Sequence, residues 1–273
     1  MTESGDPLAQ FIAECERRFR PEESRSFWDC TEAFAELAGS GFVVEHVNRE
    51  LARCKREPGY LGSWMRDEML LHRGRFVVTV ILQRAPRRFL HCLPRYAIYA
   101  PLQPEPIEYD RYDLPADHRS EVFDPTVRLA PGGSHRLEAG EMLRLDSDRH
   151  VYDLRHSEPM LFLALLSSPV RTQEWLFSRD TLQALQVNDA DLSFTQLRVA
   201  ADMLGKFAHQ ASLPALQRLT RHPHHAVRWA AVQNLGRLSR GEAVKALQAA
   251  SEDPHPHVQR AARKTLERIL PGS

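Results

Sequence analysis

Histidine is the residue type in this chain best placed to do chemistry. His222-Pro223-His224-His225 and His255-Pro256-His257 are two compact runs. Neutral imidazoles grouped this way can bind zinc or another borderline metal. The runs fall on bends between paired helices, where proline and polar residues are at home. Equivalent bends of stacked helices stand about 10 Å apart, so one tetrahedral site would need converging side chains. A shared surface for an acidic peptide or subunit is the other use, with His224, His225, Arg228, His255 and His257 as the candidate partner-contacting set. A second group lies earlier in the chain. Arg87, Arg88 and Arg95 can clamp a carboxylate through paired N–H donors, and Tyr96, Tyr99, Tyr109 and Tyr112 can line a small-molecule pocket. Arg95, Tyr96, Tyr99 and Tyr109 are the ligand-binding candidates; the competing reading has solvated arginines and aromatics bracing a sheet. No glycine-rich phosphate loop, His-Glu-x-x-His motif or nucleophile elbow is present.

These residues depend on elements that can be read from pattern. The last third repeats with a shift of 31 residues: Ala215/Ala246, Leu216/Leu247, Pro223/Pro254, His224/His255, Val227/Val258, Ala230/Ala261, Ala231/Ala262 and Leu235/Leu266 coincide. The same shift backwards lays Ala200, Leu204 and Gly205 on Ala231, Leu235 and Gly236. A fixed period of this size marks stacked helical units whose exposed faces bind other molecules. Each unit is expected to hold a short helix, a turn and a second helix. Pro223 and Pro254 are expected in the first turn of the second helix, with Asp253 as its cap. Val227, Ala230, Ala231 and Leu235 form its inward stripe.

Residues 1–72 read as helical: Pro7 to Arg18, Thr31 to Leu37, Phe42 to Cys54, and a last short helix from Trp64 to Leu71. From Phe76 the pattern changes. Phe76 to Leu82, Tyr96 to Ala100, Ile107 to Tyr112, Thr126 to Leu129, Met142 to Leu145, Val151 to Leu154 and Met160 to Leu166 read as short strands, with Pro131-Gly132-Gly133 as a turn. Such spacing predicts an all-β sandwich or barrel. Trp175 to Gln186 is expected as a helix covering a sheet edge. The organisation is thus α+β: a helical segment over 1–72, a β barrel over 73–170, a linker helix within 171–193, and repeats over 194–273.

Two resemblances follow. Pro-His-x-x-Val-x-x-Ala-Ala-x-x-x-Leu at a 31-residue step resembles the short HEAT-like repeats also seen in phycobilin lyase subunits, which implies an α-helical array docking a protein or peptide. Gly140-Glu141-Met142-Leu143-Arg144-Leu145, then His150-Val151-Tyr152-Asp153, then Pro159 to Leu165 is similar to the second half of a cupin barrel, nearest the thiol-dioxygenase branch. That likeness implies Fe(II) held by His150 and by His91 of Phe89-Leu90-His91-Cys92-Leu93. Where the family carries His-x-His, this chain has Leu93 in the second place. A ferrous oxygenase site needs three protein ligands on one face; His118, His135, His156 or Asp153 would have to supply the third.

The 273 residues carry 36 Lys+Arg and 36 Asp+Glu. The balance is uneven: from Gln196 onward there are 12 basic against 5 acidic residues. That surplus attracts an anionic partner or complements the acidic remainder. The array has few aromatics for base stacking, which disfavours single-stranded nucleic acid. No apolar run approaches the length of a membrane span, and Cys15, Cys30, Cys54 and Cys92 lack metal or redox spacing, so reduced thiols in a cytoplasm are expected. The leading expectation is an accessory protein: the array docks a partner, and a degenerate cupin barrel holds a small ligand. The alternative is an iron-dependent oxygenase acting on a thiol or small amino acid, free or carrier-borne.

Overall fold

A computed structural model describes residues 6–60, 62, 64–65, 67–84 and 87–270. It divides into two compact units. The first comprises residues up to His118 and Asp124–Val187; the second comprises Arg119–Phe123 and Asn188 onward.

The first unit opens with α1 (Pro7–Arg18), a 3-10 turn over Ser24–Cys30, α2 (Thr31–Gly39) and α3 (Phe42–Arg56). Asp6 caps α1 by accepting the Leu8 N–H, and Pro7 takes the first helical position, where no N–H is needed. Strands β1 (Trp64–Met65), β2 (Glu68–Arg73), β3 (Phe76–Gln83), β4 (Leu90–Cys92), β5 (Ala97–Pro101) and β6 (Ile107–Asp113) follow. After them come β7 (Ala130–Leu137), β8 (Leu143–Leu145), β9 (His150–Arg155), β10 (Met160–Ser167), β11 (Gln173–Phe177) and β12 (Ala184–Asp189). They form a six-stranded sheet ordered β1-β2-β3-β10-β5-β8 and two three-stranded sheets, β12-β11-β4 and β7-β6-β9. The expected single closed barrel is therefore three sheets among the described residues.

Strand β10 runs through the centre of the large sheet, antiparallel to β3 on one side and β5 on the other. Its residues bury both faces, which is why the sequence there is a continuous apolar run. Leu163 and Leu165, with Ile98 and Ala100 of β5, face a cluster built with Phe11, Phe34 and Phe42 of the N-terminal helices. Phe162 and Ala164, with Ala97 and Tyr99, face the opposite interior with Leu143, Leu145 and Leu154. The N-terminal helices thus cover one face of the sheet.

Four local expectations are corrected. Within the stretch expected as a helix, Trp64–Met65 form β1 and Glu68 to Leu71 form part of β2, because Glu68 to Arg73 pair along β3. Trp175 to Gln186 forms β11 and the start of β12; Trp175, Leu176 and Phe177 are buried in a strand that pairs with β4. Thr126 to Leu129 makes only an isolated bridge, Arg128 to Gln183. Pro131-Gly132-Gly133 lies within β7 instead of turning. Gly132 fits there because a side chain would meet the Arg111 carbonyl oxygen 3.0 Å away, and Gly133 takes φ +97°, beside a register shift between Asp110 and Tyr112.

The second unit holds α4 (Leu192–Phe207), α5 (Leu213–Leu219), α6 (His225–Leu238), α7 (Arg240–Ala250) and α8 (Pro256–Ile269). The inward stripe is as expected: Val227, Ala230, Ala231 and Leu235 are buried, as are Val258 and Ala262 one period later. The turn chemistry differs. Pro223 and Pro254 precede α6 and α8 rather than opening them. Asp253 does not cap α8; it accepts the His255 N–H at 2.8 Å, and the His255 side chain is the cap.

Candidate functional site

The two histidines that the cupin likeness singles out stand on different sheets. His91 on β4 hydrogen-bonds Glu174 of β11, Nδ1 to Oε1, at 2.8 Å. His150 on β9 bonds Asp113 of β6, Nδ1 to Oδ1, at 2.8 Å. A carboxylate on one ring nitrogen is how metal-ligating imidazoles are oriented, yet each ring has its own carboxylate partner. His91 lines a small interior cavity of about 30 Å³ with Arg87, Leu93, Tyr99, Tyr152 and Asp153, whereas His150 does not. Leu93, two residues beyond His91, lines the same cavity. The named third-ligand candidates are engaged elsewhere. His118 packs edge-on to Trp175 at 4.5 Å, and burial brings it down to about 4. His135 stacks on Tyr109 at 5.2 Å. His156 bonds Gln83 at 3.0 Å, and Asp153 takes a two-pronged pair from Arg179. Among the described residues no three His, Cys, Asp or Glu side chains come together to hold a metal ion. The donor set does not fit a ferrous site that needs three ligands on one face.

The ligand-binding candidates are also distributed rather than gathered. Tyr96 belongs to the cluster under the N-terminal helices, 5.2 Å from the Trp28 ring, with its hydroxyl on Asp148. Tyr99 faces the opposite interior, 5.4 Å from the Phe162 ring. Tyr109 stacks between His135 and Tyr152 on the β7-β6-β9 sheet. Only Tyr99 of the three reaches the cavity, and Arg95 does not line it. Burial raises Tyr99 above the usual phenol range and pushes Tyr152 up to about 12, so both hydroxyls stay protonated. A space of about 30 Å³ has room for a water molecule rather than a metabolite.

The repeat histidines do converge. Their rings form a column along the N-terminal ends of α4, α6 and α8. Phe194 stacks on His224 at 4.3 Å, His224 lies 4.9 Å from His225, His225 stacks on His255 at 3.7 Å, and His257 follows at 5.2 Å. The His255 Nδ1 accepts the His257 N–H at 3.3 Å while its Nε2 faces the Glu121 carbonyl at 2.7 Å. With those partners Nδ1 accepts and Nε2 donates. Segment Arg119–Phe123, far away in sequence, thus rests against the histidine-rich turns. Arg228 holds Asp253 through two bonds of 2.6 and 2.8 Å and donates to the His222 and Pro223 carbonyls. His222 and Asp253, one period apart, do the same work: each accepts the N–H of the residue two further on. The partner-contacting set is therefore occupied by turn capping, ring stacking and residues 119–123 of this chain.

An open surface lies nearby. A groove of about 700 Å³ runs between α5 and α7 over the floor made by Arg228, Val232, Leu235 and Val258. Arg218, Arg221 and Lys245 stand on its rim. Lys245 pairs with Glu242 at 2.9 Å, whereas Arg218 and Arg221 are exposed and in no ion pair among the described residues. Motif reasoning passed these two over because neither has a counterpart of like charge one period on; the basic surplus after Gln196 was the signal that pointed to them.

Comparison with known proteins agrees with the array. A family described as HEAT repeats matches residues 182–267. No curated protein matches the chain. Solved structures similar to it include a hydroquinone 1,2-dioxygenase from Sphingomonas sp. with 4-hydroxybenzoate bound, at 14% identity, over 36% of this chain and 63% of that one, with a TM-score of 0.29. A DMSP lyase from Ruegeria pomeroyi is 16% identical over 64% of this chain and 77% of its own, with a TM-score of 0.26. A Cupin 2 conserved barrel domain protein from Salinispora arenicola is 11% identical over 41% of this chain and 87% of its own, with a TM-score of 0.23.

Proposed function

We propose that this chain is an accessory binding protein whose HEAT repeats dock an acidic segment of a partner protein in the groove between α5 and α7. One observation carries the reading: the groove is open and bears Arg218 and Arg221, in no ion pair among the described residues, whereas the cavity inside the β module is about 30 Å³ and His91 and Asp153 on its wall are paired. Stacked helical units bind through such extended surfaces. Val232, Leu235 and Val258 supply an apolar floor, and the rim supplies positive charge, a combination suited to a peptide with acidic residues flanking an apolar one. The β module in this reading is a scaffold with space for a water molecule, and no step of an oxygenase reaction is assigned to it.

The test is fluorescence anisotropy with the full chain and labelled peptides of equal length: acidic with one apolar residue, neutral, and basic. The acidic peptide binds, and added salt weakens it. Arg218→Glu with Arg221→Glu lowers its affinity by about tenfold or more, roughly 1.4 kcal/mol. Equal binding of neutral and acidic peptides, or an unaltered affinity in the double variant, overturns the proposal. So does preferential binding of duplex DNA with a steep salt dependence.

A further inference from the structure

The first helix of the array leaves a stripe of large apolar side chains in solvent. On α4, Leu192 is 69% exposed, Val199 47%, Met203 53% and Phe207 72%. Spacings of seven, four and four place them on one face. The 31-residue period identifies that face. It carries Val199 onto Ala230, Met203 onto Asn234 and Phe207 onto Leu238 of α6. On α6 those three positions are covered by α4: Ala230 and Leu238 pack in one cluster with Ala201 and Leu204, and Asn234 is buried with its Nδ2 on Asp202. The naked stripe is therefore the stacking face of the repeat, at a place where no preceding repeat stands in the sequence, since α4 follows strand β12.

The two ends of the array differ. The α8 end exposes Arg260, Arg263, Lys264, Glu267 and Arg268, the polar surface that closes an array. The α4 end has no such closure. We infer that it is closed by a second copy of this chain, α4 against α4, around a two-fold axis. Among the described residues each chain has one uncapped end, and the polar α8 end offers it no complementary surface. A self-matching contact that stops at two copies therefore satisfies both chains, whereas head-to-tail growth does not. Charge agrees with an antiparallel pairing. A two-fold between Val199 and Ala200 sets Leu192 against Phe207 of the other copy. It also brings Lys206, exposed near the α4 C-terminus and in no ion pair among the described residues, beside the other copy's Asp191 at the N-terminus. The opposed helix dipoles add to that preference.

Sedimentation of the full chain tests this over about 1 to 200 µM, the range in which a dimer of micromolar affinity changes state. Wild type passes from monomer to dimer. Met203→Glu, at an exposed position, raises the dissociation constant by about tenfold or more with its thermal midpoint and circular dichroism unchanged; Lys206→Glu weakens it less. A monomer throughout the range, a dimer indifferent to Met203→Glu, or masses growing beyond two copies would each overturn the inference.

Discussion

The imidazole rings of His225 and His255 lie face to face, 3.7 Å between centroids and 2° from parallel. One opens α6 and the other caps α8, so the stack ties two successive repeats. A proton on His225 would set a charge inside the stack. Burial first, then the neighbouring His255 and His224, brings His225 from its ordinary 6.5 to about 3. Burial also lowers His224, against the pull of Asp189. Below pH 6.5 the unfolded chain therefore binds more protons than the folded one, and stability falls with pH through that window. The full effect is present once the pH nears 3. We expect acidification from pH 7 to pH 4 to cost the array a few kcal/mol. His225→Phe keeps a stacking ring and removes the proton site, so its thermal midpoint should fall less over the same range. Parallel pH profiles for the two proteins would contradict this account.

At Gly205 α4 comes close to α6. A Cβ there would lie 2.6 Å from Asn234 Cγ and 2.7 Å from its Cβ. Asn234 cannot swing away without losing its bonds to Asp202 and the Ala230 carbonyl, at 2.7 and 2.8 Å. Alanine favours a helix over glycine by about 1 kcal/mol, but overpacking costs about 1 to 3 kcal/mol. We expect Gly205→Ala to destabilise on balance. Adding Asn234→Ala removes the Cγ clash but keeps a Cβ 2.7 Å away, so it should recover only part of the loss, through a coupling of about 1 kcal/mol measured by urea denaturation. Strict additivity would show that the two residues do not meet as described.

Phe162 and His91 separate packing from chemistry in the β module. Phe162 is fully buried against Tyr99 in the interior cluster. Its replacement by alanine should cost about 3 to 5 kcal/mol. His91→Ala removes a part-buried pair with Glu174 and should cost no more than about 1 to 2 kcal/mol. A working metal site would invert the order in the presence of metal, because a ligand stabilises the folded state by mass action. Thermal midpoints of both variants with and without added Fe(II) decide the matter.

How much of this was legible in the sequence depends on what made each feature. The repeat stripe of Val227, Ala230, Ala231 and Leu235 was legible because helical period and array period both act on it. Strand β10 was legible because a strand buried on both faces is apolar throughout. Trp175 to Gln186 misled because a short apolar stretch has no period of its own to tell strand from helix; pairing with β4 decided it. Pro131-Gly132-Gly133 misled because glycine serves close approach as well as turns. At the site, the leucine at position 93 could be seen directly, whereas the placing of His91 and His150 in separate pairs is a tertiary fact. The histidine runs were visible, but not that residues 119–123 would lie against them, since nothing local links segments so far apart.

Arg228 joins the turns of two repeats through Asp253, and both side chains are nearly buried. Burial pushes the Asp253 carboxyl up, but the Arg228 bonds and the His255 N–H outweigh it, and the group titrates below the usual carboxylate range. The stability from this pair is thus present above about pH 4 and lost as the pH falls through the lowered value. Arg228→Ala leaves a buried carboxylate unpaired, and we expect a loss of about 3 to 5 kcal/mol at pH 7. Arg228→Lys should recover only part of it, because one ammonium cannot make the paired bonds and also reach two carbonyls. The gap between wild type and Arg228→Ala should narrow below pH 4, where protonation removes the charge left behind. Denaturant midpoints at pH 7 and pH 3 measure it, and a gap that widened toward acid would refute the assignment of Asp253 as a buried carboxylate held by Arg228.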